Sequence, residues 1–141
     1  MKIKTQDLFG SNLDWAVAKA AGRLGTWIRD DRRLGTSILD VDFDENGILM
    51  CWDPSFNTTG GYVIYSPSTK WSQAGSIIEG ENINLSAPFI RIDETFDPNW
   101  GGKIQGLASQ IGPTALVAAM RCYVASKLGD VIEITEECLK V

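Results

Sequence analysis

The chain has 141 residues, of which 44% are hydrophobic and 22% are charged, and its formal net charge is −5. This balance predicts one globular domain with enough apolar side chains for a core. No apolar run is long enough to span a membrane and the first residues lack a signal-peptide core, so we expect a cytoplasmic protein without a membrane partner. The acidic balance lacks the attraction that dominates nucleic-acid affinity, which makes nucleic acid an unlikely partner.

Histidine is absent from the sequence, and the three cysteines are Cys51, Cys122 and Cys138. Without histidine, the chain contains no Ser-His or Cys-His catalytic pair and no common zinc pattern. The cysteines form neither a C-x-x-C pair nor a disulfide framework. We therefore expect a non-enzymatic protein with no metal and no cofactor. A hydrolase or transferase that uses carboxylates such as Glu79 and Asp93 stays open as an alternative.

The first predicted elements are a short strand at Lys2–Lys4 and a helix after it. Ser11 and Asp14 have the spacing of a capping box, and Gly22 is a typical helix stop. The apolar residues at helical spacing are Leu13, Ala16, Val17 and Ala20.

A hairpin is predicted in the next segment. Asn46-Gly47 favours a tight turn, and it separates the apolar runs Ile38–Phe43 and Ile48–Trp52. Further strands are predicted at Gly61–Tyr65 and Pro88–Asp93, and a loop at Asn99–Gly102.

The longest predicted helix begins at Gly112-Pro113-Thr114, with Pro113 at the first helical position, and Gly129 ends it. Its predicted buried stripe is Leu116, Ala119, Met120, Tyr123, Val124 and Leu128. A strand at Asp130–Ile134 follows. The order of elements predicts an α+β fold over residues 1–141, a small single domain with a mostly antiparallel sheet packed by two main helices.

A polar segment at Tyr65–Glu79 concentrates hydroxyls, an indole, an amide and a glycine next to an apolar Ile-Ile pair, which is typical of a binding loop fixed to a core. The candidate ligand-binding residues are Tyr65, Ser68, Thr69, Lys70, Trp71, Gln73, Gly75, Ser76 and Thr114. In this hypothesis aromatic rings stack on a ligand, hydroxyls bind phosphate or ribose, and Lys70 or a helix N-terminus meets an anion.

Each of these residues also has a purely structural interpretation. Tyr65 and Trp71 can simply cover the core, as aromatic side chains usually do. Ser68 and Thr69 can cap a helix that begins at Gly75. Lys70 can be solvated, and Thr114 can do no more than start the longest helix.

Four segments carry a resemblance to a known family. They are Met1–Thr5, Leu13–Ala20, the loop Pro67–Glu79 and the run Gly112–Asp130. In these segments the sequence resembles the NinX-like family, small proteins of tailed bacteriophages. It departs from the family's pattern in the loop, where Lys70 replaces an acidic residue, Ala74 a glycine and Ser76 a proline. The resemblance implies a bacteriophage protein that works in the cytoplasm of the infected bacterial host.

Together these observations predict a phage accessory protein that binds a small anionic, nucleotide-derived ligand. Such binding would suit sequestration of a host immune signal, which is an anti-defence role. The alternative is a protein–protein interaction module that inhibits or redirects a host or phage enzyme, with a host protein as its partner. Self-association into a homo-oligomer is open in both cases.

Overall fold

The computed structural model describes residues 1–31, 36–57 and 60–135, and the side chains of 1–28, 38–57 and 60–135. The α-helices in this part of the chain are α1 (Gly10–Ala20), α2 (Trp71–Gly80) and α3 (Ala115–Leu128). The strands are β1 (Lys2–Lys4), β2 (Trp27–Asp31), β3 (Thr36–Leu39), β4 (Val41–Phe43), β5 (Leu49–Asp53), β6 (Gly61–Ile64), β7 (Asn84–Ser86), β8 (Phe89–Ile90), β9 (Phe96–Asp97), β10 (Trp100–Lys103), β11 (Gln110–Gly112) and β12 (Val131–Glu133).

The predicted α+β class is confirmed, and the named strands of the described chain pair antiparallel. They form several small sheets rather than one large sheet. The three-stranded sheets have the orders β4-β5-β6 and β11-β10-β7, and β1 pairs with β12.

Helix α3 lies at the centre of the core. It contacts α1, α2 and the sheet β11-β10-β7. Its predicted stripe is confirmed, with Leu128 partly buried, and burial extends around most of the helix. The buried residues are Ala115, Leu116, Val117, Ala118, Ala119, Met120, Cys122, Tyr123 and Val124.

Two glycines bring the sheet against the backbone of α3. A Cβ atom on Gly102 would lie 2.8 Å from the Ala118 carbonyl oxygen, and one on Gly112 would lie 2.7 Å from the Ala118 nitrogen. The prediction of a loop at Asn99–Gly102 is therefore wrong. Gly101 and Gly102, which resemble a loop in the sequence, belong to β10, and at Gly102 the backbone of α3 leaves little room for a side chain.

The helix starts differ from their predictions. The first helical residue of α3 is Ala115, not Pro113, and its N-cap is Thr114, whose Oγ1 accepts a hydrogen bond of 3.1 Å from the Val117 nitrogen. Helix α1 begins at Gly10 without a side-chain cap, so the capping box of Ser11 and Asp14 is wrong. The predicted stop is confirmed, because Gly22 has a φ of +70° just after the end of α1.

The predicted hairpin at Asn46-Gly47 is confirmed as the pair β4–β5, with Gly47 at a φ of +78°. The predicted strand Ile38–Phe43 is broken at Asp40, so β3 pairs with β2 while β4 pairs with β5. Strand β6 is confirmed. The predicted strand Pro88–Asp93 is reduced to the two residues of β8.

Candidate functional site

The polar segment after β6 is a turn and a helix rather than a loop. The nitrogens of Thr69 and Lys70 donate to the Ser66 carbonyl at 3.0 and 2.8 Å, and α2 then begins at Trp71, not at Gly75. Lys70 is the N-cap, and no side-chain hydrogen bond caps the helix. The interpretation of Ser68 or Thr69 as its cap is therefore wrong. Thr69 uses its hydroxyl to bond the hydroxyl of Ser66.

The Gln73 side chain holds α2 to the outer edge of β6. Its Oε1 accepts a hydrogen bond of 2.6 Å from the Ser66 nitrogen, and its Nε2 donates one of 2.8 Å to the Ile64 carbonyl. The side-chain amide thus pairs with two backbone groups that a further strand would otherwise bind. We call this arrangement the Gln73 clamp. The ammonium of Lys70 donates to the same Ile64 carbonyl at 3.1 Å.

Tyr65 and Ser68 lie in the core beneath this turn. Both are buried, and neither the Tyr65 hydroxyl nor the Ser68 Oγ has a hydrogen-bond partner within the described residues. The Ser68 nitrogen donates to Oδ1 of buried Asp14 at 2.8 Å. Burial raises the pKa of Asp14, although the backbone hydrogen bond from Ser68 acts in the opposite direction. Burial also raises the pKa of Tyr65.

An open cleft of about 490 Å³ lies between the start of α2 and the hairpin β5–β6, and we call it the Lys70 cleft. Its lining residues are Arg23, Cys51, Trp52, Asp53, Pro54, Ser55, Val63, Lys70, Ser72, Gln73 and Ser76. Of the nine predicted site residues, Lys70, Gln73 and Ser76 are therefore brought together here.

The remaining predicted residues lie outside this lining. Trp71 is 58% exposed at the first position of α2, and Thr69 is exposed in the turn before it. A Cβ atom on Gly75 would meet nothing within 4 Å outside the backbone of its own helix, so this position is open. Thr114 caps α3.

Charges in the Lys70 cleft are unequally compensated. Arg23 forms a two-point ion pair with Asp40, at 2.8 Å through Nε and 2.7 Å through Nη2, and its guanidinium carbon lies 5.3 Å from the centre of the Tyr65 ring. Hydrogen bonds from the Ser55 hydroxyl and nitrogen lower the pKa of Asp53, so its carboxylate is charged at neutral pH. Lys70, by contrast, forms no ion pair with any residue that the structure describes.

Ser72 and Ser76 lie one helical turn apart on the face of α2 that lines the cleft. Their hydroxyls have no hydrogen-bond partner in the described part of the chain, and neither does the Ser72 backbone N–H. Such N–H groups in the first turn of a helix attract anions. The cleft therefore combines a cation with free hydroxyl and amide donors.

Sequence reasoning missed Trp52, the aromatic residue in the lining of the cleft. Its ring makes an edge contact with Tyr62 at 5.3 Å between centroids. A Cβ atom on Gly60 would lie 2.5 Å from the indole, so the ring packs directly on that glycine. The alternation in β5 buries Leu49 and Cys51 and turns the Trp52 ring to the opposite face of the sheet, beside Tyr62.

The fold and the cleft define a small α+β protein with a polar cleft built on a helix start and a β-hairpin. A family model described as Bacteriophage P22, NinX matches residues 4–127. The chain therefore belongs to the NinX family, and it is a phage accessory protein. A search of curated proteins gave no match. No helix among the described residues is long and apolar enough to cross a membrane.

Proposed function

We propose that this protein binds a small anionic, nucleotide-derived molecule in the Lys70 cleft and does not convert it. The observation that carries the proposal is the Lys70 ammonium, which lacks an ion pair within the described residues and lies in the same cleft as the free donors of Ser72 and Ser76. A phosphate at this position gains charge-assisted hydrogen bonds. The start of α2 adds a favourable helix dipole.

Binding without turnover is supported by the acid–base groups of the cleft. Burial raises the pKa of the Cys51 thiol, while hydrogen bonds from Ser55 lower the pKa of Asp53. Both shifts move these groups away from neutrality, where general acid–base catalysis is most effective. Arg23 is ion-paired with Asp40, and the hydrogen bond to Asp40 raises the pKa of its guanidinium, which therefore stays protonated.

The remaining parts of a nucleotide find suitable partners in the same cleft. The Asp53 carboxylate accepts hydrogen bonds from sugar hydroxyls. A volume of about 490 Å³ lies within the range of small-molecule sites. In an infected cell, tight binding of this kind lowers the free concentration of a nucleotide signal, which is the anti-defence role we propose.

The test is a thermal-shift screen with nucleotides, cyclic oligonucleotides and ADP-ribose derivatives, followed by mass spectrometry of the recovered compound. We expect at least one anionic compound to raise the melting temperature and to be recovered unchanged. Recovery of a cleaved or transferred product would instead identify an enzyme. Failure of every anionic compound to shift the melting temperature would overturn the proposal.

Matched variants locate the site. Lys70→Ala is expected to weaken binding, and to do so more at low salt, whereas Lys2→Ala at an exposed lysine of β1 leaves binding unchanged. Ser76→Ala is expected to weaken binding while Trp71→Leu retains it, because Ser76 lines the cleft and Trp71 does not. The reverse result for these two variants would place the ligand at the exposed start of α2 and not in the cleft.

One observation favours the alternative of a protein–protein interaction module. Trp71 is 58% exposed, and exposed tryptophans are frequent anchors of protein interfaces. If the protein is such a module, the Trp71→Ala variant should no longer bind its partner, a host or phage enzyme, whereas the Lys70→Ala variant should still bind it. Binding measured with both variants therefore separates the two candidate functions.

A further inference from the structure

A second polar cleft, of about 350 Å³, lies beside the pairing of β1 with β12, and we call it the Gln110 cleft. Its walls are the 3₁₀ turn Thr5–Asp7, the segment that leads into β11 and the start of β12. No residue of its lining also lines the Lys70 cleft. The two clefts are therefore separate.

The Gln110 side chain is a buried amide in the lining of this cleft. Gln110 is only 9% exposed, and it lies on the face of β11 that is turned towards α3, because Gly112 on the same face contacts Ala118. Its Oε1 has no hydrogen-bond partner among the described residues, and its Nε2 donates to none of them. Nearly all buried polar groups in native proteins are hydrogen-bonded, since an unpaired one destabilises the fold. The partner of this amide therefore comes from outside the described chain.

The hydroxyl of Thr5, which lines the same cleft, is not that partner. Thr5 is buried, its nitrogen donates to the Asp130 carbonyl at 2.7 Å, and its Oγ1 donates to the Gly129 carbonyl at 2.6 Å. Both of its donors are thus used within the chain. These two bonds also fix the 3₁₀ turn to the segment before β12, so this wall of the cleft is held in place.

The charged groups of the cleft are one of each sign. Lys4 and Asp130 are both exposed in its lining, and neither forms an ion pair with a residue that the structure describes. Their charges sum to zero, so the cleft does not favour an anion as the Lys70 cleft does. A ligand without net charge suits it better.

We propose that the Gln110 cleft binds a small polar molecule without net charge that carries an amide-type edge, an N–H beside a C=O, as in a free nucleobase or a carboxamide. A primary amide is an acceptor and a donor side by side, so it pairs with such an edge through two hydrogen bonds. This pairing satisfies both ends of the Gln110 side chain. The exposed Ser109 hydroxyl in the same lining can bind a further polar group of the ligand.

Nuclear magnetic resonance of the isotope-labelled protein tests this proposal, with uracil and nicotinamide as probes. We expect at least one of them to shift the side-chain amide signal of Gln110. The control probes are dimethyluracil, methylated on both ring nitrogens, and dimethylnicotinamide, methylated on its amide nitrogen. They keep the ring and the carbonyl but lack the N–H, so they should leave the signal unchanged. A Gln110 signal that neither probe moves would overturn the proposal and leave solvent as the partner of the amide, and equal shifts with the methylated probes would also overturn it.

Matched variants place the probe in the cleft. Gln110→Met keeps the length of the side chain, and it should raise the dissociation constant of the probe at least about tenfold, as expected for a lost two-point amide contact. Gln105→Met, at an exposed glutamine outside the lining, should leave the constant unchanged. Lys70→Ala should leave it unchanged as well, so the result does not depend on the function proposed above.

Urea denaturation without a probe separates a binding role of Gln110 from a structural one. If the amide has no partner in the free protein, Gln110→Met should keep or raise the midpoint of unfolding, because it removes an unpaired buried group. A midpoint well below those of the wild type and Gln105→Met would show that the amide is already satisfied within the fold, and it would overturn the proposal.

Discussion

Replacement of Gly102 by alanine tests the close packing of β10 on α3. The new Cβ would lie 2.8 Å from the Ala118 oxygen and 3.1 Å from its carbonyl carbon, whereas ordinary contact begins at 3.4 Å. Strand β10 must therefore move by several tenths of an ångström. It cannot move freely, because β7 and β11 pair with it on both sides. Overpacking of this kind costs about 1–3 kcal/mol.

Part of that cost is offset in the unfolded chain, where alanine has less conformational freedom than glycine. This effect stabilises a protein by about 0.4–1 kcal/mol at an unstrained site. We therefore expect a net loss of about 1–2 kcal/mol for Gly102→Ala. Gly75→Ala is the matched control, because no atom lies within 4 Å of its Cβ position, and it should gain about 0.5–1 kcal/mol in helix α2.

Urea denaturation of the three proteins measures these differences, provided that the slope of the free energy with denaturant stays constant. Gly112→Ala adds a sharper comparison, since its Cβ would also meet Ala118. A shift of α3 that accommodates one alanine also makes room for the other, so the double variant should lose less than the sum of the single losses. Stability of Gly102→Ala equal to that of the wild type would refute the packing argument.

Three further predictions concern stability. Leu116→Ala should cost about 2–5 kcal/mol in urea denaturation because the side chain is buried against α3's neighbours, and a loss below 1 kcal/mol would contradict this placement. Asp14→Asn keeps an acceptor for the Ser68 nitrogen, but it removes a carboxyl whose pKa burial raises on folding. The raised pKa stabilises the folded wild type below about pH 4, and this contribution is lost as the pH rises through the folded-state pKa. The free energy of unfolding of the variant should therefore rise relative to that of the wild type across this window. A difference that does not change with pH would contradict this prediction. Gln73→Leu leaves the Ser66 nitrogen without its partner, so it should lose about 1–3 kcal/mol by thermal or urea unfolding, and an unchanged midpoint would show that the Gln73 clamp is dispensable.

The parts of the fold that local signals determine were predictable from sequence. Helix α3 has an apolar pattern between Thr114 and Gly129, and the β4–β5 hairpin has Asn46-Gly47, so neighbouring residues suffice to specify both. Strand β10 was not predictable in this way. Gly101 and Gly102 favour a loop locally, and it is the contact of Gly102 with Ala118 that explains why this segment lies in a sheet.

Tertiary partners likewise overrode local interpretations at two acidic residues. Asp14 has the spacing of a capping-box residue, but it is buried and accepts a hydrogen bond from the distant Ser68 nitrogen. Asp40 lies within an apolar run that predicts one continuous strand, but its ion pair with Arg23 accompanies a break between β3 and β4. Neither partner is marked as such by any spacing in the sequence.

The Lys70 cleft was predictable only in the residues that one segment contributes. Lys70, Gln73 and Ser76 belong to the polar segment that the sequence indicated. Arg23 and Trp52 come from two other segments, and folding alone brings them to the same cleft. Trp71 was predicted to bind the ligand because it belongs to the polar segment. In the structure it is the first residue of α2, its side chain is exposed, and it does not line the cleft.

The pairing of β1 with β12 sets the order in which the molecule can be completed. Ile3 lies opposite Ile132, and the Thr5 nitrogen donates to the Asp130 carbonyl at 2.7 Å. These contacts join residues far apart in the sequence, so a chain emerging from the ribosome cannot form them until residues 130–133 have been synthesised. Contacts of such high sequence separation slow folding, because the loop-closure entropy is lost before the contact is gained. During synthesis, Ile3 therefore remains accessible to chaperones long after the first helix has left the ribosome.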